Sequence, residues 1–204
     1  MSDPRPHWDE VYRSKPFKEV SWYQPHPTRS LELIRGAAPD PAAAIVDVGC
    51  GAAVLIGELA SVEYSDLTGV DASAVAIAGA QARLADQAQR IEWIVADATT
   101  WTPVRTYEVW HDRAVFHFLI DRDAQEGYLR ALRRALPLAR TAIIATFALD
   151  GPARCSGLPV QRYSGSTLAD RLGSDFELVS EANERHTTPK GATQSFTYAV
   201  FLRR

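Results

Sequence analysis

The stretch that decides the fold is Ala44-Ile45-Val46-Asp47-Val48-Gly49-Cys50-Gly51-Ala52-Ala53-Val54-Leu55. It begins with an apolar run, which is typical of a strand buried on both faces of a parallel sheet. Two glycines separated by one residue follow, and then a segment that favours a helix. This order of strand, glycine turn and helix N-terminus lets backbone N–H groups approach a nucleotide-like ligand closely.

Composition points to an ordinary globular chain. It has 204 residues, 46% hydrophobic and 23% charged, and a net charge of -3. These values indicate one domain with a substantial core. They show no excess of positive charge of the kind that binds nucleic acid or an acidic membrane. No apolar run is long enough to span a bilayer, and residues 1–7 lack the apolar stretch of a signal peptide. Two distant cysteines favour a reducing compartment, so we expect a cytoplasmic protein.

From residue 44 onward, predicted strands and helices alternate, which indicates a parallel α/β sheet. The predicted strands are 44–48, 66–70, 91–96, 107–111 and 140–147. The predicted helices between them are 53–59, 74–85 and 123–136. Beyond residue 148 we expect a loop through 159, a helix over 166–172, and two strands, 176–184 and 196–202. Because no helix separates these last two strands, they should be antiparallel.

The first forty residues are predicted to form two helices around a loop. A short helix over 7–12 would place Trp8 and Tyr12 on one face. Residues 21–27 contain two prolines and indicate a loop, and Thr28 is expected to cap a helix over 29–37. We therefore predict a single domain, 1–204, with an N-terminal helical or lid segment, 1–41, and an α/β core, 42–204.

Three polar motifs follow predicted strands at the sheet edge where ligands of open α/β sheets bind. Gly49-Cys50-Gly51 follows the first strand, Asp71 ends the second and Asp97 ends the third. An acid about 20 residues beyond a glycine turn is placed to accept hydrogen bonds from ribose hydroxyls. A carboxylate at the third strand can accept one from an adenine amine. Alone, each acid also fits a strand end or helix cap; in this order, the three predict an adenosine site.

The ligand at this site is predicted to be cationic. A dinucleotide turn places a small residue where Val54 stands, and Asp47 would repel a pyrophosphate. S-adenosylmethionine carries an ammonium and a sulfonium group, and it fits both observations.

These residues resemble the first three motifs of class I S-adenosylmethionine-dependent methyltransferases. The resemblance covers residues 44–147 and rests on 45–51, 69–73 and 95–97. It implies an α/β, Rossmann-like, doubly wound, seven-stranded mixed sheet, whose last two strands form an antiparallel hairpin. Ala53 stands where a third glycine is common, and residues 136–140 lack the usual proline-glycine-glycine turn.

The same resemblance implies which residues bind the cofactor. Asp47, Gly49 and Gly51 would border the methionine part, with Cys50 in contact through its backbone. Asp71, with the neighbouring Ala72, would bind the ribose, and Asp97 with Ala98 would bind the adenine. Trp22 and Tyr23 would either close over the site, with Trp22 near the sulfonium, or pack the N-terminal segment on the sheet.

The segment Trp110-His111-Asp112-Arg113-Ala114-Val115-Phe116-His117-Phe118-Leu119 directly follows the fourth predicted strand. In the family that the chain resembles, this segment usually faces the transferred methyl group. Together with Trp8-x3-Tyr12 and the later Ser21-Trp22-Tyr23, it is similar to a bacterial subgroup of small methyltransferases. A similar N-terminal pattern also occurs in some protein-lysine methyltransferases of this fold. We expect three candidate catalytic residues in the segment 110–119. His111 would deprotonate a nucleophile or contact the cofactor. Asp112 and Arg113 would bind a charged substrate, or form an internal salt bridge.

Three remaining side chains are interpreted without a catalytic role in methyl transfer. We expect His117 to be structural because it lies where a helix should begin. Cys155, in a loop beside Arg154, is the more plausible reactive thiol, although an isolated cysteine is usually a loop residue. His186 has no second ligand near it in sequence, so we expect no metal site.

The predicted function is methyl transfer from S-adenosylmethionine to a small molecule. One alternative keeps the chemistry but makes a protein lysine the acceptor. A second is a cofactor-binding module without turnover, and a nicotinamide oxidoreductase is more distant. We expect no nucleic-acid or membrane partner.

Overall fold

The computed structural model describes residues 3–204. Seven strands form one mixed sheet: β1 Ala44–Val48, β2 Asp66–Asp71, β3 Ile91–Val95, β4 Val109–Arg113, β5 Thr141–Phe147, β8 Phe176–Thr187 and β9 Thr193–Arg203. Their order across the sheet is β3-β2-β1-β4-β5-β9-β8. The first five strands are mutually parallel, and β9 is antiparallel to both β5 and β8. This confirms the predicted α/β fold and its closing hairpin.

Six α-helices accompany the sheet: α1 Arg5–Ser14, α2 Thr28–Ala37, α3 Val54–Ser61, α4 Ala74–Leu84, α5 Arg122–Ala135 and α6 Gly165–Leu172. Short 3-10 segments cover Phe17–Glu19, Ala85–Arg90 and Phe116–Phe118. The predicted loop after β5 contains a small hairpin, β6 Arg154–Cys155 with β7 Leu158–Pro159. No helix in residues 3–204 has the length and apolarity needed to cross a bilayer.

Helices cover both faces of the sheet, and alternating strand residues face two separate cores. In β4, Val109 belongs to the core that also contains Ile34 of α2 and Leu59 of α3. The next residue, Trp110, belongs to the core that contains Leu132 of α5. Successive side chains of a strand point to opposite faces, so this arrangement produces the predicted doubly wound fold.

The fourth strand lies two residues later than predicted. The N–H of Tyr107 donates to the carbonyl of Ala135 at the end of α5, so Tyr107 is not part of the sheet ladder. The strand instead extends through Asp112, which pairs with β1 and β5, and Arg113, which pairs with β5. Both residues therefore occupy strand positions, which fixes the direction of their side chains.

The predicted cap of α2 was wrong. Thr28 is the first residue of the helix, after Pro27, and its hydroxyl donates to the carbonyl of His26 instead of accepting from the first turn. The N-cap position is occupied by Pro27, whose side chain has no hydrogen-bond acceptor, so α2 begins without a side-chain cap.

Candidate functional site

A cavity of about 510 Å³ lies beyond the carboxyl ends of β1, β2 and β3. Gly49, Asp71 and Asp97, each at the end of one of these strands, line it together. The cavity also receives side chains from the N-terminal segment and from the segment after β4. Because these three strands are parallel and adjacent, the residues at their carboxyl ends meet at one edge, as the sequence predicted.

The turn after β1 needs glycine at two positions. Gly49 has φ +70°, and a Cβ there would lie 2.0 Å from Cγ2 of Val115. Gly51 has φ +53°, and a Cβ there would lie 2.5 Å from the hydroxyl of Tyr12. Left-handed backbone disfavours a side chain, and the close neighbours leave no room for one. Ala53 also has φ +53°, so alanine occupies a left-handed position where glycine is common.

Asp71 is buried at the end of β2 and is tied to the glycine turn. One carboxylate oxygen accepts from the N–H of Gly51 and the other from the N–H of Ser73, both at 2.8 Å. Burial raises the pKa of this carboxyl to about 6, although the two backbone N–H groups act in the opposite direction. Ala72 lies beside it in the cavity wall.

Asp97 and Ala98 form the wall of the cavity after β3. Oδ1 of Asp97 accepts from both the N–H and the hydroxyl of Thr99 at 2.8 Å. Its Oδ2 has no hydrogen-bond donor within residues 3–204, so it remains available to a ligand.

A second, smaller cavity of about 80 Å³ adjoins the glycine turn, and Asp47, His111 and Ser30 line it. Nδ1 of His111 is 2.7 Å from Oδ1 of Asp47, and Nε2 is 2.9 Å from Oγ of Ser30. His111 is 1% exposed and Ser30 is 0% exposed. Both imidazole nitrogens therefore have protein partners. Cys50 and Gly51 line this cavity too, whereas Gly49, Trp22 and Arg113 line both cavities.

Asp112 lies outside both cavities. It is fully buried, and its carboxylate accepts from the N–H groups of Val115 and Phe116 and from the hydroxyl of Tyr128. Burial raises its pKa to about 6. This position does not support the catalytic role expected for Asp112: the carboxylate holds the turn after β4 and the helix α5.

Arg113 points to the opposite face from Asp112, so the salt bridge between them that the sequence left open does not form. Nε of Arg113 donates to the hydroxyl of Tyr198, and Nη1 donates to the carbonyl of Trp22, both at 2.9 Å. Its nearest carboxylate belongs to Glu184, at 3.9 Å from Nη2.

The N-terminal segment forms one wall of the larger cavity. Trp8, Tyr12 and Trp22 line it with Phe118, and ring centroids in this group lie 5.0 to 6.2 Å apart. Asp9 on α1 accepts from the hydroxyl of Ser73 at 2.7 Å and from the N–H of Val75 at 3.3 Å, and so fastens α1 to the start of α4.

Trp8, Tyr12 and Ser30 were not predicted from the sequence to lie at the site, whereas Phe118 belongs to the segment 110–119 that was expected to face the methyl group. For the first two residues a signal was present, since their spacing places them on one helix face. Tyr23, paired with Trp22 in the lid hypothesis, lines only the smaller cavity and packs on Phe17.

The structure also shows the surroundings of His117 and Cys155, which the sequence singled out. His117 is fully buried; its Nδ1 accepts from the N–H of Phe147, and burial lowers its pKa to about 3, which supports a structural role. The thiol of Cys155 is buried and burial raises its pKa, which supports the expectation of an ordinary loop cysteine over a reactive thiol. Within residues 3–204, no group of three or more potential ligands is placed to hold a metal ion.

Solved structures share the fold over nearly the whole chain. A structure solved in work on the conversion of a disulfide bond into a thioacetal group during echinomycin biosynthesis has a TM-score of 0.79 and 21% identity, over 98% of this chain and 91% of that one. An S-adenosylmethionine-dependent methyltransferase from Anabaena variabilis has a TM-score of 0.75 and 15% identity, over 98% and 93%.

A third similar structure holds ligands. The 1,6-didemethyltoxoflavin-N1-methyltransferase of Burkholderia thailandensis, with 1,6-didemethyltoxoflavin and S-adenosylhomocysteine bound, has a TM-score of 0.67 and 17% identity, over 86% of this chain and 77% of that one. A comparison with curated proteins found no significant match.

Residues 45–137 match the family model of the methyltransferase domain. These residues contain the glycine turn, Asp71 and Asp97, which are the residues that carried the resemblance in the sequence. The match and the shared fold confirm that resemblance. Residues 45–137 of the chain therefore form a methyltransferase domain, and the chain shares the fold of S-adenosylmethionine-dependent methyltransferases of known structure.

Proposed function

We propose that this enzyme methylates a small molecule, and that S-adenosylmethionine lies across the cavity of about 510 Å³. The observation that carries the proposal is the convergence of Gly49, Asp71 and Asp97 on that one cavity. Its volume falls within the range of ligand pockets, about 300–1,000 Å³. We also propose that residues 3–41 belong to the same domain, because Trp8 and Trp22 line the site that the core residues line.

The adenosine part is assigned to the ends of β2 and β3. Asp71 would accept hydrogen bonds from the ribose hydroxyls, because each of its oxygens has one protein donor and retains a free lone pair. Oδ2 of Asp97 would accept from the adenine amine, with Ala72 and Ala98 packing beside the nucleoside.

The methionine part is assigned to the glycine turn. Gly49 and Gly51 let the backbone approach it closely, Cys50 contributes backbone only, and Asp47 faces its ammonium group. Trp22 lies at the junction of the two cavities, where a π-face beside the sulfonium would be favourable.

When bound, the cofactor supplies a methyl group activated by a positively charged sulfur. The residues of the protein have the task of alignment and of excluding water. The two nitrogens of His111 contact Asp47 and Ser30. We therefore assign to His111 the role of orienting the Asp47 carboxylate, and not that of removing a proton from the methyl acceptor.

A small and largely apolar acceptor fits the rest of the cavity. Besides the residues assigned to the cofactor, Trp8, Phe118, Leu119 and Leu158 line the cavity, and its lining is largely apolar. The similar enzyme of Burkholderia thailandensis, which holds a small heterocycle, supports a small-molecule acceptor by analogy.

Calorimetry with S-adenosylmethionine and S-adenosylhomocysteine tests the cofactor assignment. Both ligands should bind, and Asp71→Ala should weaken binding about 10- to 100-fold through the loss of charge-assisted hydrogen bonds. Asp86→Ala is the matched control, since Asp86 is an exposed acid on the segment after α4. Equal affinity in the two variants would refute the role of Asp71.

A protein-lysine acceptor is the second candidate, kept because the N-terminal pattern Trp8-x3-Tyr12 with Ser21-Trp22-Tyr23 is similar to that of some protein-lysine methyltransferases. Cell extract separated into small-molecule and protein fractions, each incubated with enzyme and labelled cofactor, distinguishes the two. Label in the small-molecule fraction supports the proposal, and label only in the protein fraction contradicts it.

A further inference from the structure

Arg113 carries an unsatisfied donor where the two cavities meet. It lines both of them, and its side chain is only 10% exposed. Nε and Nη1 are committed to the hydroxyl of Tyr198 and the carbonyl of Trp22, but Nη2 has no hydrogen-bond partner among the described residues. A buried guanidinium N–H without an acceptor is costly, so a bound ligand with an acceptor would be favoured here.

The nearest carboxylate does not fill this role. Oε2 of Glu184 lies 3.9 Å from Nη2, beyond hydrogen-bond range. The same oxygen already accepts from the side-chain amide of Gln24 at 3.1 Å and from the hydroxyl of Tyr198 at 3.2 Å. Glu184 therefore lowers the net charge around Arg113 without satisfying its donor.

Charge balance indicates what the missing acceptor is. Arg113 is the one guanidinium or ammonium group that lines either cavity within residues 3–204. Several carboxylates line the same cavities, among them those of Asp71 and Asp47. The methionine part of S-adenosylmethionine carries an ammonium, a sulfonium and a carboxylate. Its two cationic groups suit the acidic lining, and its carboxylate is the group that suits the free donor of Arg113.

We propose that Arg113 binds the carboxylate of the methionine part of the cofactor. This inference rests on the proposed function, which places that part beside Asp47 and Gly49. Two fixed hydrogen bonds hold the guanidinium in place before the ligand arrives, and a planar guanidinium suits a carboxylate. Because Nη1 also holds the carbonyl of Trp22, carboxylate binding and the position of Trp22 depend on the same side chain.

The test compares two thioether ligands that differ only in the carboxylate: S-adenosylhomocysteine and its decarboxylated analogue, S-adenosyl-3-thiopropylamine. Calorimetry of the full chain should show that Arg113→Gln weakens S-adenosylhomocysteine about 10- to 100-fold. The decarboxylated analogue should change less than about twofold, since it has no group for Arg113 to bind.

Glu184→Gln is the matched second variant, since it removes the acid beside the same guanidinium. It should leave S-adenosylhomocysteine binding unchanged or tighter, because a competing negative charge is gone. An equal loss for both ligands in Arg113→Gln would overturn the proposal and leave Arg113 only a support for Trp22. An unchanged affinity of Arg113→Gln for S-adenosylhomocysteine would also overturn the proposal and would assign the free Nη2 donor to the molecule that is methylated. If the unaltered protein binds neither ligand, the proposed function fails instead.

Discussion

Replacing Gly51 by alanine tests the contact between the N-terminal helix and the glycine turn. The structure predicts two separate costs. Gly51 has φ +53°, and a left-handed backbone costs a residue with a Cβ about 1–2 kcal/mol. The new Cβ would also lie 2.5 Å from the hydroxyl oxygen of Tyr12, and such overpacking costs about 1–3 kcal/mol.

Only the second cost depends on Tyr12, so a double-mutant cycle separates the two. Without the hydroxyl, the next atom of that ring, Cζ, lies 3.5 Å from the new Cβ, which is ordinary van der Waals contact. Gly51→Ala should therefore destabilise the protein by about 1–3 kcal/mol less in a Tyr12→Phe background than in the unaltered protein. Denaturant unfolding of the four proteins measures this coupling energy.

Gly79→Ala is the control, because Gly79 lies in α4 with nothing within 4 Å of an added Cβ. That substitution should stabilise the protein by about 0.5–1 kcal/mol. If the cycle is additive within about 0.5 kcal/mol, Tyr12 does not lie on the turn, and the wall that α1 gives to the cavity is refuted.

Three further predictions follow from the same structure. The affinity for S-adenosylhomocysteine should fall below pH 6, because only the ionised form of Asp71 accepts hydrogen bonds on both oxygens and its pKa is raised to about 6. Calorimetry should give an affinity about tenfold weaker at pH 5 than at pH 8. A constant affinity across this range would contradict the assignment of Asp71 to the ribose. Ala139→Gly should raise the free energy of unfolding by about 1 kcal/mol, since Ala139 is exposed and has φ +60°. Ala82→Gly, at an exposed position of a helix, should lower the free energy of unfolding by about as much. A change of the same sign in both variants would refute the claim that Ala139 has a strained backbone. Tyr128→Phe should destabilise the protein by about 2–4 kcal/mol, because it removes two buried hydrogen bonds, one of them to Asp112. The affinity for the cofactor, measured by calorimetry, should not change. Weaker binding would indicate that Asp112 contributes to the site.

Strand order and type were largely predictable because they depend on local patterns. The apolar run before Gly49 gave β1 its bounds, and acids at the ends of the next two strands marked the edge where the cavity forms. The β4 boundary was less accessible to sequence reasoning. Tyr107 continues the apolar pattern, but its N–H bonds to the end of α5, a contact between residues 28 positions apart.

That shift of two residues decided the roles of the candidate catalytic residues. With β4 extended to Arg113, alternation sends Asp112 into the core beside Tyr128 and Arg113 toward the cavities. The burial of Cys155 has a similar origin, since its thiol packs against Ser21, which is 134 positions away in sequence. Long-range packing of this kind leaves no local pattern.

The sequence by itself determined the edge of the sheet at which the larger cavity lies. Glycine at 49 and 51 suits a left-handed turn, and parallel strands bring their carboxyl ends to one edge, so Asp71 and Asp97 had to meet the turn. Only the tertiary structure decided what faces that edge. Tyr12 and Arg113 reach the cavity through contacts between segments far apart in the chain, and such contacts depend on the packing of the whole domain.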